Sequence, residues 1–404
     1  MNLAYETAAE AATSRNAARR FFAGHKAVLY AFAASRLALF AVGLMTQIFI
    51  EPLSERISGM QLTDSAALRM WGQWDTGWYA TLATSGYAAH PGPDGQVNWV
   101  FFPAFPMISA GLAKISGLPV FTAMLVVSNL SFLAALFLIH RFAREEFDRR
   151  TADLTVALIC AAPGSYIFSS AYTESLFLLG LSGCLLLLRA RRWLAAGGFA
   201  ALAVLTRNLG VGLLLPFAFA AAPGLWTLGR PLLAQRAGNW RPFLREAWRV
   251  VAGMALPVLA LAGFCLFLWR RAGDPLAFVT AQKAWGRSLE FPLVRAIAPL
   301  ASGQLPEGEV ISFAACWLSL ALVVALALMR QWSLCVLAAF LTLVPMASGL
   351  PSYARYCLVA LPLFLAGANL LAPRPAAAGA VLIAFATLNG FLMVAWTFGL
   401  WVTA

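Results

Sequence analysis

Long apolar stretches follow one another from residue 27 to residue 400 with only short polar breaks, and this succession constrains every other reading of the chain. A helix needs roughly 20 mostly apolar residues to cross the hydrocarbon core of a bilayer. Spans are expected at 27–49, 119–140, 152–168, 172–189, 193–206, 208–222, 248–269, 309–329, 332–349, 356–371 and 377–400, about eleven in all. An all-α polytopic membrane protein follows, with 1–404 forming one transmembrane unit. Composition agrees: 61% of residues are hydrophobic and 11% charged, too few charges to cover a water-soluble surface.

The net charge of +12 is read loop by loop, because basic loops mark the cytoplasmic side. The cluster Arg15, Arg19, Arg20 and Lys26, the stretch Arg141 to Arg150, the group Arg189, Arg191 and Arg192, and the segment holding Arg230, Arg236, Arg241, Arg245 and Arg249 then share one side. Residues 1–26 read as a polar, basic lead-in and not as a cleaved signal peptide, since the apolar run after them is long enough to stay in the membrane. Alternation holds if 101–117 (FFPAFPMISAGLAKISG) is an interfacial helix opened by Pro103 and Pro106; a true crossing is the alternative. Two large extracytoplasmic loops result, 50–118 and 270–308. The first is acidic before its helix. The second carries Arg270, Arg271, Lys283, Arg287 and Arg295 against the positive-inside bias, which an anionic ligand or snorkelling to headgroups would explain.

Chemistry-bearing residues gather on the same side. The stretch MWGQWDTGWYATLATSGY places Asp75 among Trp71, Trp74, Trp78 and Tyr79 at near-helical spacing. One reading is an aromatic belt with a capping or solvated aspartate. The other is a general base beside a stacking platform for a sugar ring, able to take a proton from an attacking hydroxyl. Glu174 opens a span, where an acid in the first turn either caps the helix or serves the site. Arg207 lies in the apolar stretch LTRNLGVG between two short spans that read as a hairpin, an expensive position for a cation. Gln282, Lys283 and Arg287 lie on one outer segment, the last two one helical turn apart, and Arg355 sits at the outer end of the span starting near Tyr356. Together the four cations form a cradle for a phosphate or diphosphate, although each alone is explained by snorkelling. Trp74, Trp78, Tyr79, His90, Glu174, Arg207, Gln282, Lys283, Arg287 and Arg355 are the expected substrate-binding residues, with Asp75 catalytic.

Other chemistries find little support. Three histidines without paired spacing make a zinc site improbable, and six cysteines without CxxC spacing read as small core residues. No phosphate-binding loop or dinucleotide fingerprint occurs, so a lipid-linked activated donor is the natural substrate class. The cofactor stays open: a divalent metal is compatible with these residues but not indicated by them. The competing class is a transporter or flippase of a lipid-linked or anionic substrate, whose polar residues belong near the bilayer midplane; a non-catalytic scaffold is a third.

At these residues the chain resembles the PIG-V family, the second mannosyltransferases of GPI-anchor assembly and their bacterial relatives, within the GT-C class of membrane glycosyltransferases. The matching stretches are WDTGWYATLATSGY, FFPAFPMI, SSAYTESLFLL, LTRNLGVGLLLP, GDPLAFVTAQKAWGR and PSYARYCLVALPLF, in order along most of the chain. The resemblance implies a GT-C-type helical bundle with juxtamembrane helices in a large first outer loop. It also implies transfer of mannose from a polyprenyl-phosphate donor to an extracytoplasmic acceptor hydroxyl with inversion, Asp75 being the base and Glu174 the acid of the second outer loop. The acceptor class stays open between glycolipid, glycan and protein. Many GT-C members carry paired acids in the first loop; here Gln73-Trp74-Asp75 stands instead, so no metal held by adjacent carboxylates is implied. The Ala/Arg-rich composition points to a bacterial inner membrane, with membrane lipids and no nucleic acid among the partners; a GPI substrate does not carry over.

Overall fold

The computed structural model describes residues 25–49, 62–235, 239–303 and 309–400. The basic N-terminal cluster up to Arg20 and the acidic start of the first loop, residues 50–61, lie outside them. Among the described residues every regular element is helical. Among the described residues, six helices are long and apolar enough to cross a membrane: Lys26–Phe49, Val120–Glu146, Asn208–Pro231, Arg241–Ala272, Val310–Leu328 and Pro375–Thr397. The chain is a multi-pass membrane protein.

The helices of the bundle are α1 (Lys26–Phe49), α2 (Thr76–Ser85), α3 (Ala104–Ser116), α4 (Val120–Glu146), α5 (Arg149–Ala161), α6 (Glu174–Arg189), α7 (Trp193–Thr206), α8 (Leu214–Gln235) and α9 (Arg241–Ala272). They continue as α10 (Pro292–Ser302), α11 (Val310–Leu328), α12 (Trp332–Ser348), α13 (Tyr353–Leu358), α14 (Leu361–Leu371) and α15 (Pro375–Thr397). Most expected spans reappear as helices, with Val120–Glu146 running six residues past 140 and Arg241–Ala272 starting seven before 248. Three differ, each where the sequence breaks the helical ladder. The run expected at 152–168 stops at Ala161, where Pro163 and left-handed Gly164 turn the chain into an irregular stretch, holding only the short 3-10 helix Ser165–Phe168, before α6 begins at Glu174. The run expected at 208–222 starts as a tight 3-10 segment, Asn208–Leu213, and then extends to Gln235. The run expected at 356–371 divides around Val359-Ala360, ahead of Pro362. Helix α3 matches the segment 101–117 in position and packs against α4 and α2.

The tightest packing joins α4, α6, α7 and α9. Without a hydrophobic drive between helices in lipid, close approach depends on small residues at the crossings. Here α7 and α9 touch backbone to backbone: a Cβ added to Gly197 would lie 2.2 Å from the Gly253 carbonyl oxygen. Gly197→Val therefore forces the two helices apart. We expect a loss of about 1–3 kcal/mol, read as a lower unfolding midpoint in detergent; an unchanged midpoint would mean that this crossing tolerates separation.

A buried cation fixes the turn after α5. Arg36 of α1 donates to the Ser165 carbonyl at 2.7 Å, the Ser165 hydroxyl at 2.9 Å and the Cys160 carbonyl at 3.3 Å. Carbonyls left open where α5 ends thus find a donor, and Asn389 of α15 adds a bond to the Ser165 hydroxyl at 2.9 Å. This node holds the stretch that carries Tyr172, Thr173 and Glu174 into the site.

The bundle has two chemically distinct ends. Helix α6 begins at Glu174 and ends at Arg189, whose guanidinium meets Glu146 at the end of α4. The basic turns 141–150 and 189–192 therefore share one end, and Glu174 stands at the other.

Candidate active site

Residues Trp71 to Asp75 are not helical, in contrast to the near-helical spacing of their aromatics. The helix starts at Thr76, and Trp74 occupies the left-handed region at φ 52°. A bulky residue rarely adopts that conformation, so the turn must be imposed by its surroundings. Tyr172 imposes it. Its hydroxyl donates to the Gln73 carbonyl at 3.0 Å and accepts from the Asp75 N–H at 3.0 Å. Trp71 is buried in the core, outside the site.

Asp75 stands at the N-cap position of α2 yet makes no side-chain capping bond. Its carboxylate instead accepts from Arg355 Nη1 at 2.9 Å, a partner 280 residues away. Glu174 behaves alike. It lies in the first turn of α6, fully buried, and accepts from Arg207 Nη1 at 2.5 Å while its Oε1 lies 3.4 Å from Arg355 Nε. Thr173 joins through its hydroxyl, which accepts from Arg207 at 3.2 Å. The capping readings of both acids are thereby replaced by a chain of alternating charge, Asp75–Arg355–Glu174–Arg207.

Tyr356 is the ring beneath these cations: the guanidinium carbons of Arg207, Arg287 and Arg355 lie 4.8, 5.8 and 5.9 Å from its centroid. Arg355 also lies 5.2 Å from the Tyr172 ring. Burial alone would lower the Arg355 pKa, but the carboxylates of Asp75 and Glu174 more than reverse this and hold it well above its ordinary value. Burial, then the Asp75 charge, raises the Tyr79 phenol, so it remains a neutral donor. Three guanidiniums against two carboxylates leave a surplus of one positive charge. It falls on Arg287, which among the described residues contacts the Ser348 hydroxyl at 3.4 Å and no carboxylate.

Two cavities meet at this cluster. The larger, about 670 Å³, is lined by Trp74, Asp75, Trp78, Trp285, Arg287 and Arg355 together with residues of α10 and the 348–352 turn. The smaller, about 110 Å³, is lined by Asp75, Tyr79, Phe101, Arg207, Gln282, Arg287, Arg355 and Tyr356 among others. Asp75, Trp285, Arg287 and Arg355 border both. Trp78 and Trp285 meet edge to face at 5.3 Å, with Phe101 stacked on Trp78 at 5.9 Å.

The sequence candidates thus divide. Asp75, Trp74, Trp78, Tyr79, Gln282, Arg207, Arg287 and Arg355 line one or both cavities, and Glu174 sits directly behind them. Lys283 and His90 are exposed and line neither. Gly286, left-handed at φ 68°, ends the helical turn that would have aligned Lys283 with Arg287. Arg271 serves the first loop, donating to the Tyr87 carbonyl at 2.7 Å, and Arg295 pairs with Glu290 at 3.0 Å. No space for a sugar phosphate separates Asp75 from the cations at Arg355, whose Nη1 lies 2.9 Å from the Asp75 carboxylate. Tyr172, Tyr356, Thr173 and Trp285 were not singled out, although each lies in or beside a motif that was. A metal fits poorly, since both carboxylates already hold guanidiniums and no group of three or more His, Cys, Asp or Glu occurs among the described residues.

No protein-family model matches the chain, and no curated protein matches it. Solved structures of similar fold share little sequence with it. One is the Archaeoglobus fulgidus oligosaccharyltransferase tethered with an acceptor peptide, at 14% identity and a TM-score of 0.47, covering 92% of this chain and 55% of that one. Another is ArnT from Cupriavidus metallidurans bound to undecaprenyl phosphate, at 16% identity and a TM-score of 0.48, covering 94% and 77%. The chain spans little more than half the length of the oligosaccharyltransferases, 53% in the complex with Zn and sulfate.

Proposed function

We propose that the chain is a membrane glycosyltransferase of the GT-C class, a PIG-V-like member, moving a sugar from a polyprenyl-phosphate donor to a hydroxyl of a glycolipid, glycan or protein. The observation that carries this reading is the Asp75–Arg355 contact at the junction of two cavities, with Arg207 and Arg287 beside it. The small cavity, bordered by three guanidiniums, suits the donor phosphate; the aromatic-lined larger one suits the acceptor. On this reading the site faces the extracytoplasmic side of a bacterial inner membrane, and α3 lies along that interface.

The chemistry needs few groups. Asp75 takes the proton from the acceptor hydroxyl, whose oxygen bonds to the sugar's anomeric carbon from the face opposite the phosphate. The C1–O bond to phosphate breaks, the configuration inverts, and the lipid phosphate leaves with the electron pair. Charge grows on the leaving oxygen in the transition state, where preorganised guanidiniums in a poorly hydrated site help most. Arg355 links the two events: as it turns toward phosphate, Asp75 is freed to act as base, and Glu174 keeps Arg355 within reach. The sequence resemblance supports mannose as the donor sugar.

The test supplies purified protein in liposomes with radiolabelled polyprenyl-phosphate mannose and a membrane extract. A labelled product with released lipid phosphate is expected. Movement of donor across the bilayer without a new glycosidic bond would return the reading to transport. Arg287→Ala, which removes the guanidinium lacking a carboxylate partner, should weaken apparent donor affinity by roughly tenfold or more, as for a charge-assisted phosphate contact. An unchanged donor KM would remove Arg287 from the phosphate cradle.

A further inference from the structure

The end of the bundle remote from Glu174 carries a third cavity, unrelated to the charge cluster. Helix α6 has 16 residues, so Arg189 lies about 22 Å from Glu174 along its axis. Just beyond it a cavity of about 560 Å³ opens between the α6–α7 turn, the middle of α8 and the start of α9, lined by Arg191, Pro223, Gly224, Thr227, Leu228, Glu246 and Arg249.

Several features mark it as built for an anion. Arg191 is a non-glycine residue at φ 52°, an unusual conformation that aims it from the turn toward α8. Its guanidinium lies close against the α8 backbone: a Cβ added to Gly224 would come within 2.9 Å of Arg191 Nη1. Among the described residues, neither the Arg191 nor the Arg249 guanidinium has an ion-pair or hydrogen-bond partner. The cavity's one carboxylate, Glu246, is engaged by the Trp193 indole N–H at 3.0 Å. The surroundings are those of a membrane surface. Trp226 is 65% and Trp248 71% exposed, the placement of indoles that rest at headgroup level.

We infer that this cavity binds the phosphate headgroup of an anionic phospholipid such as phosphatidylglycerol, with Arg191 and Arg249 on the phosphate, the Thr227 hydroxyl beside it and the acyl chains lying along the apolar flank of α8 and α9. Basic pockets between membrane helices recognise acidic headgroups in this way, each cation contributing independently of sequence elsewhere. A lipid, and not a free phosphate, is the occupant because two lining residues, Thr227 and Arg249, each follow an exposed tryptophan, Trp226 and Trp248, in the chain.

The full-length protein in phosphatidylcholine nanodiscs, titrated with short-chain phosphatidylglycerol and followed by native mass spectrometry, tests the assignment. Wild type should retain phosphatidylglycerol in preference to phosphatidylcholine. The double variant Arg191→Gln, Arg249→Gln should bind it roughly 30-fold more weakly, two surface cations being removed. The control pair Arg241→Gln, Arg245→Gln removes the same charge from α9 outside the cavity lining and should weaken binding by less than about threefold on the same scale. Equal weakening in both pairs would show diffuse attraction instead of a site, and absence of preference in the wild type would overturn the proposal outright. Displacement of bound lipid by equimolar inorganic phosphate would overturn the choice of a lipid as occupant. Unfolding midpoints in neutral nanodiscs, expected to match wild type for both pairs because all four arginines are exposed, guard against misfolding.

Discussion

Asp75→Asn lowers the turnover number for sugar transfer by about 10²–10⁴-fold, the contribution typical of a positioned general base, and leaves the unfolding midpoint nearly unchanged. The two halves of this expectation have separate causes. Activity falls because an amide cannot accept the acceptor's proton. Stability holds because the turn carrying residue 75 is fixed by backbone bonds to Tyr172, which the substitution does not touch. Asparagine is the same size, the Asp75 side chain is 23% exposed, and Arg355 keeps Glu174 as an ionic neighbour. Kinetics in proteoliposomes with thermal unfolding of the same sample give both numbers. A variant that folds, binds donor and transfers sugar at a rate near wild type would remove Asp75 from the mechanism.

Glu174→Gln behaves in the opposite way and costs both stability and activity. The Glu174 side chain is wholly buried and serves two guanidiniums, Arg207 and Arg355, themselves only 10% and 12% exposed. Breaking a buried pair by removing one partner leaves uncompensated charge, typically at a cost of about 3–5 kcal/mol. An apolar replacement of both partners is often far milder. The double variant Glu174→Leu, Arg207→Met should therefore unfold at a higher temperature than the two single losses combined would allow, yet remain inactive. Thermal unfolding of the two single variants and the double variant makes the comparison. Strict additivity would show that the two side chains do not depend on one another.

The bundle was largely legible from hydropathy, because lipid permits only backbone that satisfies its own hydrogen bonds. Interruptions were harder to see. Ala162 to Thr173, Asn208 to Leu213 and Val359-Ala360 sit within apolar sequence, and only packing shows that other groups, such as Arg36 at Ser165, take up the freed carbonyls. The candidate residues were legible as types in motifs, but their pairings were not. Asp75 and Arg355 are separated by 280 positions, and no local pattern joins them. For the same reason both acids read equally well as helix caps until the coordinates turned their carboxylates toward arginines. Tyr172 and Tyr356 carry no signal in the sequence, because an aromatic in a membrane protein is ordinary. Only their positions, under three guanidiniums and across the Gln73–Asp75 turn, make them distinctive. Lys283 falls away from Arg287 because Gly286, whose left-handed backbone ends the turn, breaks the helical spacing between them.

The central claim concerns where a lipid phosphate and its sugar sit relative to Asp75. An electron cryomicroscopy map of the Asp75→Asn protein in nanodiscs with a polyprenyl-phosphate sugar tests it directly. The account predicts the phosphate against Arg207, Arg287 and Arg355, Arg355 drawn away from residue 75, and the anomeric carbon on the line between that phosphate and the substituted side chain. Donor density at the opposite end of α6, or a sugar facing away from residue 75, would contradict it.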